Sequence, residues 1–263
     1  MSAATTTSRV DVYLVTGGRF HDTNFARLEL LKLLAENDDL YVRMGEDFSD
    51  VDTINNADLL VSYTCDVRPT QAQQDALKTY LNDGGRWFAL HGTNSLLDFD
   101  TTDGPIEAFG VTIPGQPYAP DLAPDLMQTL GSRFVTHPPI QTFRVRVSAP
   151  EHPLVAGIED FDTEDEPYCC EILGELEVLL EARYSSEWMT DLPPEWDDPE
   201  AVRPQMYLRS IGRGQILYLT LGHCCGKFDM QPIMDECDVV RCSWDNPVYY
   251  ELLRRGIAWG AAR

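Results

Sequence analysis

Three histidines stand at equivalent places along this 263-residue chain. His21 follows an apolar run over 10–16, His91 ends a second run over 86–91, and His223 follows a third over 215–221. A fourth, His137, sits in a proline-rich stretch. Imidazole changes charge near neutral pH and binds metals in its neutral form. Three of them on one rim would suit general acid–base chemistry or the holding of a divalent metal. A single histidine more often only satisfies local hydrogen bonds. The shared placement is the argument, because ligands of an open parallel sheet bind beyond the carboxyl ends of its strands.

The elements that must position these residues follow from periodicity. The run 10–16 reads as a buried strand entering Gly17-Gly18. Residues 23–35 carry Phe25, Leu28, Leu31, Leu33 and Leu34 at largely helical spacing, with Asn37 as a stop. Short strands are expected at 40–44 and 57–63. A helix begins near Pro69 and turns Ala72, Ala76, Leu77, Tyr80 and Leu81 to one face, then ends at Asn82-Asp83-Gly84-Gly85. The strand 86–91 opens into Gly92-Thr93-Asn94. Residues 110–139 hold six prolines and read as a loop-rich insertion. Strands follow at 142–148, 176–182, 206–211 and 215–221, the last two joined by a tight hairpin at Gly212-Arg213-Gly214. A helix over 247–259 closes the chain. Strands alternating with helices imply an α/β fold with a mostly parallel sheet and helices on both faces. One domain over 10–263 is expected behind a flexible 1–9.

Charge narrows the partners. Twenty Lys and Arg stand against 43 Asp and Glu, a net −23. Such a field repels nucleic-acid backbones and anionic membrane surfaces. From 159 to 200 there are sixteen acidic residues and one base, Arg183, so −15 of the −23 sits in one segment. A solvated acidic face is the plain reading of it. There is no signal-peptide core and no apolar stretch of membrane-spanning length. Seven cysteines, two pairs of them adjacent, read as free thiols of a cytoplasmic protein. Base rates favour a homodimer if the chain assembles at all.

Several stretches in order resemble the ThuA-like (trehalose utilisation) family. They are Gly17-Gly18-Arg19-Phe20-His21-Asp22, Gly84 to Gly92 around the central strand, Thr136-His137-Pro138, Glu151 to Ile158, Asp165-Glu166-Pro167-Tyr168, Gly214 to His223, and Leu253 to Trp259. The match runs from about Val10 to Trp259. It implies a class I glutamine amidotransferase-like fold: a flavodoxin-like three-layer sandwich with an added antiparallel hairpin. In those amidotransferases a cysteine nucleophile occupies a tight strand-to-helix turn. Here that turn reads Ala89-Leu90-His91-Gly92-Thr93. An imidazole cannot form a glutamyl thioester, so glutaminase activity is not expected. Cys65 and Cys224 lie near the same rim as lesser candidates, with small buried side chains as the alternative. Cys237 and Cys242 lack the spacing of a zinc site.

The resemblance also draws Glu166 out of the acidic run. Beside Tyr168 and facing histidines it would be a general base, a metal ligand or a hydroxyl acceptor; otherwise it belongs to a turn before a strand, as Asp165 is expected to do. Asp22 reads as a helix cap or as part of an oriented His21-Asp22 pair. The expected catalytic set is His91, Glu166, His21 and His223, with Asp22, Asn94, His137 and Tyr168 as substrate-binding groups. His91 and Glu166 would be the proton-transfer pair, with His21 and His223 polarising the substrate or holding a divalent metal, and a metal-free mechanism fits equally well. His152 is expected to cap its own segment. Trp87, Trp188, Trp196 and Trp244 offer sugar-stacking faces or simple packing. The family's association with sugar catabolism implies acid–base catalysis (isomerisation, elimination, hydration or hydrolysis) on a keto sugar or glycoside. The alternative is a sugar-binding or regulatory protein without turnover.

Overall fold

Strands that are apolar on both faces need cover on both faces, and the helices of this chain divide to supply it. The computed structural model describes residues 9–108, 111–184, 198–231 and 233–262. The expected flexible leader, apart from Arg9, lies outside the described residues. In chain order the first elements are β1 (Val10–Gly18), α1 (Thr23–Leu34), β2 (Leu40–Gly45), α2 (Val51–Asn55), β3 (Leu59–Cys65), α3 (Gln71–Asn82) and β4 (Arg86–Leu90). Four short strands follow: β5 (Asp98–Asp100), β6 (Ile106–Ala108), β7 (Val111–Ile113) and β8 (Gln116–Tyr118). Then come α4 (Pro124–Leu130), β9 (Ser132–Thr136), β10 (Gln141–Val147), β11 (Phe161–Asp165), β12 (Cys169–Ile172), β13 (Glu177–Ala182), β14 (Arg203–Ile211), β15 (Gly214–Leu219) and α5 (Pro247–Ala261).

Nine strands form one sheet in the order β11-β10-β13-β14-β15-β4-β3-β1-β2. From β15 through β4, β3 and β1 to β2 every pairing is parallel. From β15 through β14, β13 and β10 to β11 every pairing is antiparallel. The fold is therefore mixed α/β, and its antiparallel part is much larger than the single hairpin expected. That hairpin itself is present: Ile211 pairs with Gly214 across Gly212-Arg213, with Gly212 at φ +58.

Alternation along the parallel strands fills two cores. Val12 and Leu14 of β1 and Phe88 and Leu90 of β4 pack with Leu30 of α1 and Leu252 and Leu253 of α5. Tyr13 and Val15, with Trp87 and Ala89, pack on the other face with Ile54 of α2, Leu77 and Leu81 of α3, and Leu126 and Leu130 of α4. α3 starts with a capping box between Thr70 and Gln73, which satisfies two of its free amides. The proline-rich stretch departs from expectation. It holds α4, with Pro124 in the first turn where no amide is lost and Gly131 in the left-handed conformation at the end.

The parallel register brings four strand ends to one rim. Gly18 pairs with Cys65, and Leu90 pairs with both Tyr63 and Leu219. α5 braces this arrangement from below, with Gly256 set against the ring of buried Phe88. A Gly256→Ala change gains up to about 1 kcal/mol of helix propensity. Its Cβ would overlap that ring, however, and overpacking costs about 1–3 kcal/mol. A net destabilisation is expected, read as a lower urea midpoint with unchanged slope.

Candidate functional site

His91 is the residue on which the rim closes. It directly follows β4, has φ +43, and is fully buried. Glycine at the next position is required, because a Cβ on Gly92 would press on the Thr64 carbonyl at 2.7 Å. The His91 Nδ1 lies 2.8 Å from the carbonyl of Thr220. A carbonyl only accepts, so Nδ1 carries the proton and Nε2 is left with a lone pair. His21 repeats the pattern: its Nδ1 lies 3.3 Å from the carbonyl of Arg19. The two Nε2 atoms are nevertheless 2.8 Å apart. Two lone pairs at that distance require something positive between or beside them, either a proton on one ring or a cation.

Glu166 completes the group from the end of β11. Its Oε1 is 3.1 Å from His223 Nδ1 and 3.6 Å from His137 Nε2. Its Oε2 is 3.5 Å from His91 Nε2 and 4.0 Å from His21 Nε2. The alignment with His223 is poor, and that buried Nδ1 is left without a hydrogen bond. Tyr168 places its hydroxyl 3.1 Å from His91 Nε2. Burial alone would raise the Glu166 carboxyl, but His137, His223 and His91 overcome it and hold it well below the ordinary range. His21 is also held well below its ordinary value, first by burial and then by His91 and His223.

One donor atom from each of His21, His91, Glu166 and His223 lies within 4.8 Å of all the others. Three imidazole nitrogens and a carboxylate oxygen form a donor set for a divalent transition ion, with ligands at about 2.0–2.2 Å. The unpartnered His223 Nδ1 and the two facing lone pairs fit such an ion.

The remaining sequence candidates divide. His137 is partly exposed and, with Tyr168, lines the cavity above the centre. His91 has no exposed surface and does not line it. Two expected substrate-binding residues are turned to other work. Asp22 accepts from the amide of Phe25 as the α1 cap and pairs with Arg241 at 3.0 Å. Asn94 is fully buried and donates to Ser132 Oγ at 2.7 Å. Burial pushes the Cys224 thiol up to about 12, and Cys65 well above its ordinary value, so neither is a ready thiolate. Trp87 and Trp244 are core side chains that donate to Ser62 Oγ and the Gly222 carbonyl. Trp188 and Trp196 lie outside the described residues. His152 Nδ1 accepts from the Leu154 amide, a local cap as expected.

Asp165 has a larger part than the local turn assigned to it. It does accept from the Glu166 amide at 2.8 Å, but it also accepts from the amides of Gly222 at 2.8 Å and His223 at 3.0 Å. One fully buried carboxylate thus fixes both Glu166 and His223. The signal was present in Phe161-Asp162-Thr163-Glu164-Asp165, whose alternation turns Asp165 inward with Phe161 and Thr163.

Together these features define a class: a mixed α/β protein with a buried histidine–carboxylate centre at the carboxyl ends of its parallel strands. The chain belongs to the ThuA family, described as trehalose utilisation, whose model matches residues 9–237. Among solved structures it is similar to a ThuA-like protein of Parabacteroides merdae ATCC 43184 (17% identity, TM-score 0.61, 97% of this chain and 91% of that one). A ThuA-like protein of Bacteroides uniformis ATCC 8492 gives 18% identity and TM-score 0.63 over 98% of this chain and 94% of that one. The β-galactosidase of Rahnella sp. R3 is similar over 97% of this chain but only 32% of its own, with 12% identity and TM-score 0.52. These are likenesses of fold. No curated protein matches the chain.

Two predictions follow from the geometry. Asp165→Ala strands three buried amides, each worth about 1–3 kcal/mol when left unpaired. The variant should lose about 3 kcal/mol or more in urea unfolding, and a loss below about 1 kcal/mol would contradict the role given to Asp165. The second concerns pH. A folded-state imidazole value below the unfolded 6.5 means that the unfolded chain binds the proton first, so stability falls as pH drops below about 6.5. The depressed Glu166 carboxyl adds loss of the same sign further down the scale. Melting of chelator-treated protein should show Tm falling from pH 6.5 downwards, and His21→Gln should flatten the upper part of that fall.

Proposed function

We propose that this chain is an enzyme of carbohydrate catabolism that performs acid–base chemistry on a keto sugar or glycoside and has no glutaminase activity. The observation that carries the reading is the pair of imidazole Nε2 atoms 2.8 Å apart, each with its Nδ1 committed to a carbonyl, beside a buried carboxylate. A flavodoxin-like, amidotransferase-like layering is consistent with the parallel half of the sheet. His91 at the turn, together with two thiols held protonated by burial, argues against a thioester route. A cytoplasmic setting suits the free cysteines.

A divalent ion bound by His21, His91, His223 and Glu166 would polarise a keto or hydroxyl oxygen. The chain's own groups would do the rest. Glu166, depressed enough to stay ionised, is placed to take a proton from the carbon next to a keto group. His137, outside that ligand set, lies 3.6 Å from Glu166 and can relay or return that proton. Tyr168 sets the orientation of His91 from above and also faces the cavity. His91, expected to share proton transfer with Glu166, is instead a ligand and positioning group on this reading, since it has no surface to offer a substrate.

Elemental analysis of purified protein should find about one divalent ion per chain, lost on acidification because protonated imidazoles cannot ligate. His91→Ala should abolish ion retention and keto-sugar turnover while leaving sugar binding measurable. Glu166→Gln should lower turnover by about 10²–10⁴-fold. Wild-type protein that binds sugars but turns over no keto sugar or glycoside would establish the non-catalytic alternative.

A further inference from the structure

The cavity above the centre is much less polar than a site for a bare sugar should be. It encloses about 450 Å³. Its charged and imidazole floor, His21, Glu166, His223 and His137, belongs to the centre already described, and Ser95, Asp98, Gln116 and Thr136 add polar groups to the wall. The rest of the wall is predominantly apolar and comes chiefly from two other parts of the chain: the short strands around Phe99, Ile113 and Tyr118, and Met230, Ile233 and Met234. Phe20 and Phe134 add two more rings. A disaccharide carries hydroxyls around both rings, and a hydroxyl moved from water onto such a wall loses its hydrogen bonds. Aromatic rings and thioethers instead favour a flat, polarisable partner. The volume falls within the range of pockets that hold an organic ligand larger than one ring.

We propose that the substrate is an aryl glycoside or its keto form, with the sugar on the histidine–glutamate floor and the aromatic aglycone among Phe20, Phe99, Phe134, Met230 and Met234. The sugar half rests on the function proposed above; the aromatic half rests on the cavity wall alone. With the keto form, Glu166 takes the proton from the carbon between the keto group and the anomeric carbon. The anomeric C–O bond breaks as a C=C bond forms in the sugar, and the aglycone leaves as a phenol carrying that proton. The reaction class that supplies the keto form is oxidation of an intact aryl glycoside at a ring hydroxyl.

Calorimetric titration of the full-length protein with 4-nitrophenyl glucoside, methyl glucoside, octyl glucoside and trehalose tests this directly. The aryl glucoside should bind at least about tenfold more tightly than methyl glucoside or trehalose, as burial of one ring allows. Phe99→Ala and Met234→Gln should each erase most of that preference while leaving methyl glucoside binding unchanged. Equal or tighter binding of trehalose would overturn the assignment. So would tightest binding by octyl glucoside, which would point to an alkyl chain in place of a ring. If the aryl preference holds but no keto glycoside is turned over, the reaction proposed above has failed and the aromatic assignment stands.

Discussion

A carboxylate placed among imidazoles in the interior is the constraint around which this protein is arranged. Glu166 keeps only 8% of its surface, and Asp165, its neighbour, keeps none. Two adjacent buried carboxylates are unfavourable unless each is compensated separately. Asp165 is compensated by three backbone amides, two of them from the loop after β15. Glu166 is compensated by histidines drawn from four separate parts of the chain. The first set of bonds ties the antiparallel half of the sheet to the parallel half. The second makes the junction chemically useful.

The parallel strands deliver the histidines because their ends are in register, but the register alone leaves the rings free to turn. Backbone carbonyls remove that freedom. Thr220 fixes one face of His91, Arg19 fixes His21, and the hydroxyl of Tyr218 holds the His91 carbonyl at 2.6 Å. Positive φ at Phe20 and His91 is the backbone strain that accompanies this aiming.

Sequence made the histidine rim legible because apolar strands are long, punctuated runs and the residue following each run is unambiguous. Glu166 was visible only through its resemblance to a family motif, since a run of sixteen acids looks like solvated surface. Asp165 reads as a local turn for the same reason: local turn chemistry is legible in sequence, whereas its bonds to amides 57 and 58 residues away are not. Asn94 and Asp22 have the right residue types next to the right strands, yet both side chains turn to structural partners. The edge of the antiparallel extension was hidden because β11 lies within the acidic run, and α4 was hidden because it lies within the prolines.

On the proposed function, chemistry and recognition would be carried by different parts of the chain. The groups that bear protons or would bear an ion stand at the ends of β1, β4, β11 and β15, all strands of the nine-stranded sheet. The apolar cavity wall comes chiefly from β5, β7, β8 and from Met230, Ile233 and Met234, none of which belongs to that sheet. A wall built on such peripheral pieces can change without disturbing Asp165, His91 or the carbonyls that aim the rings. The floor cannot change in that way, because replacing any one of its groups leaves another buried charge or amide unpaired. On that reading one centre can be held fixed while the surrounding loops redefine which ligand's second half is accepted.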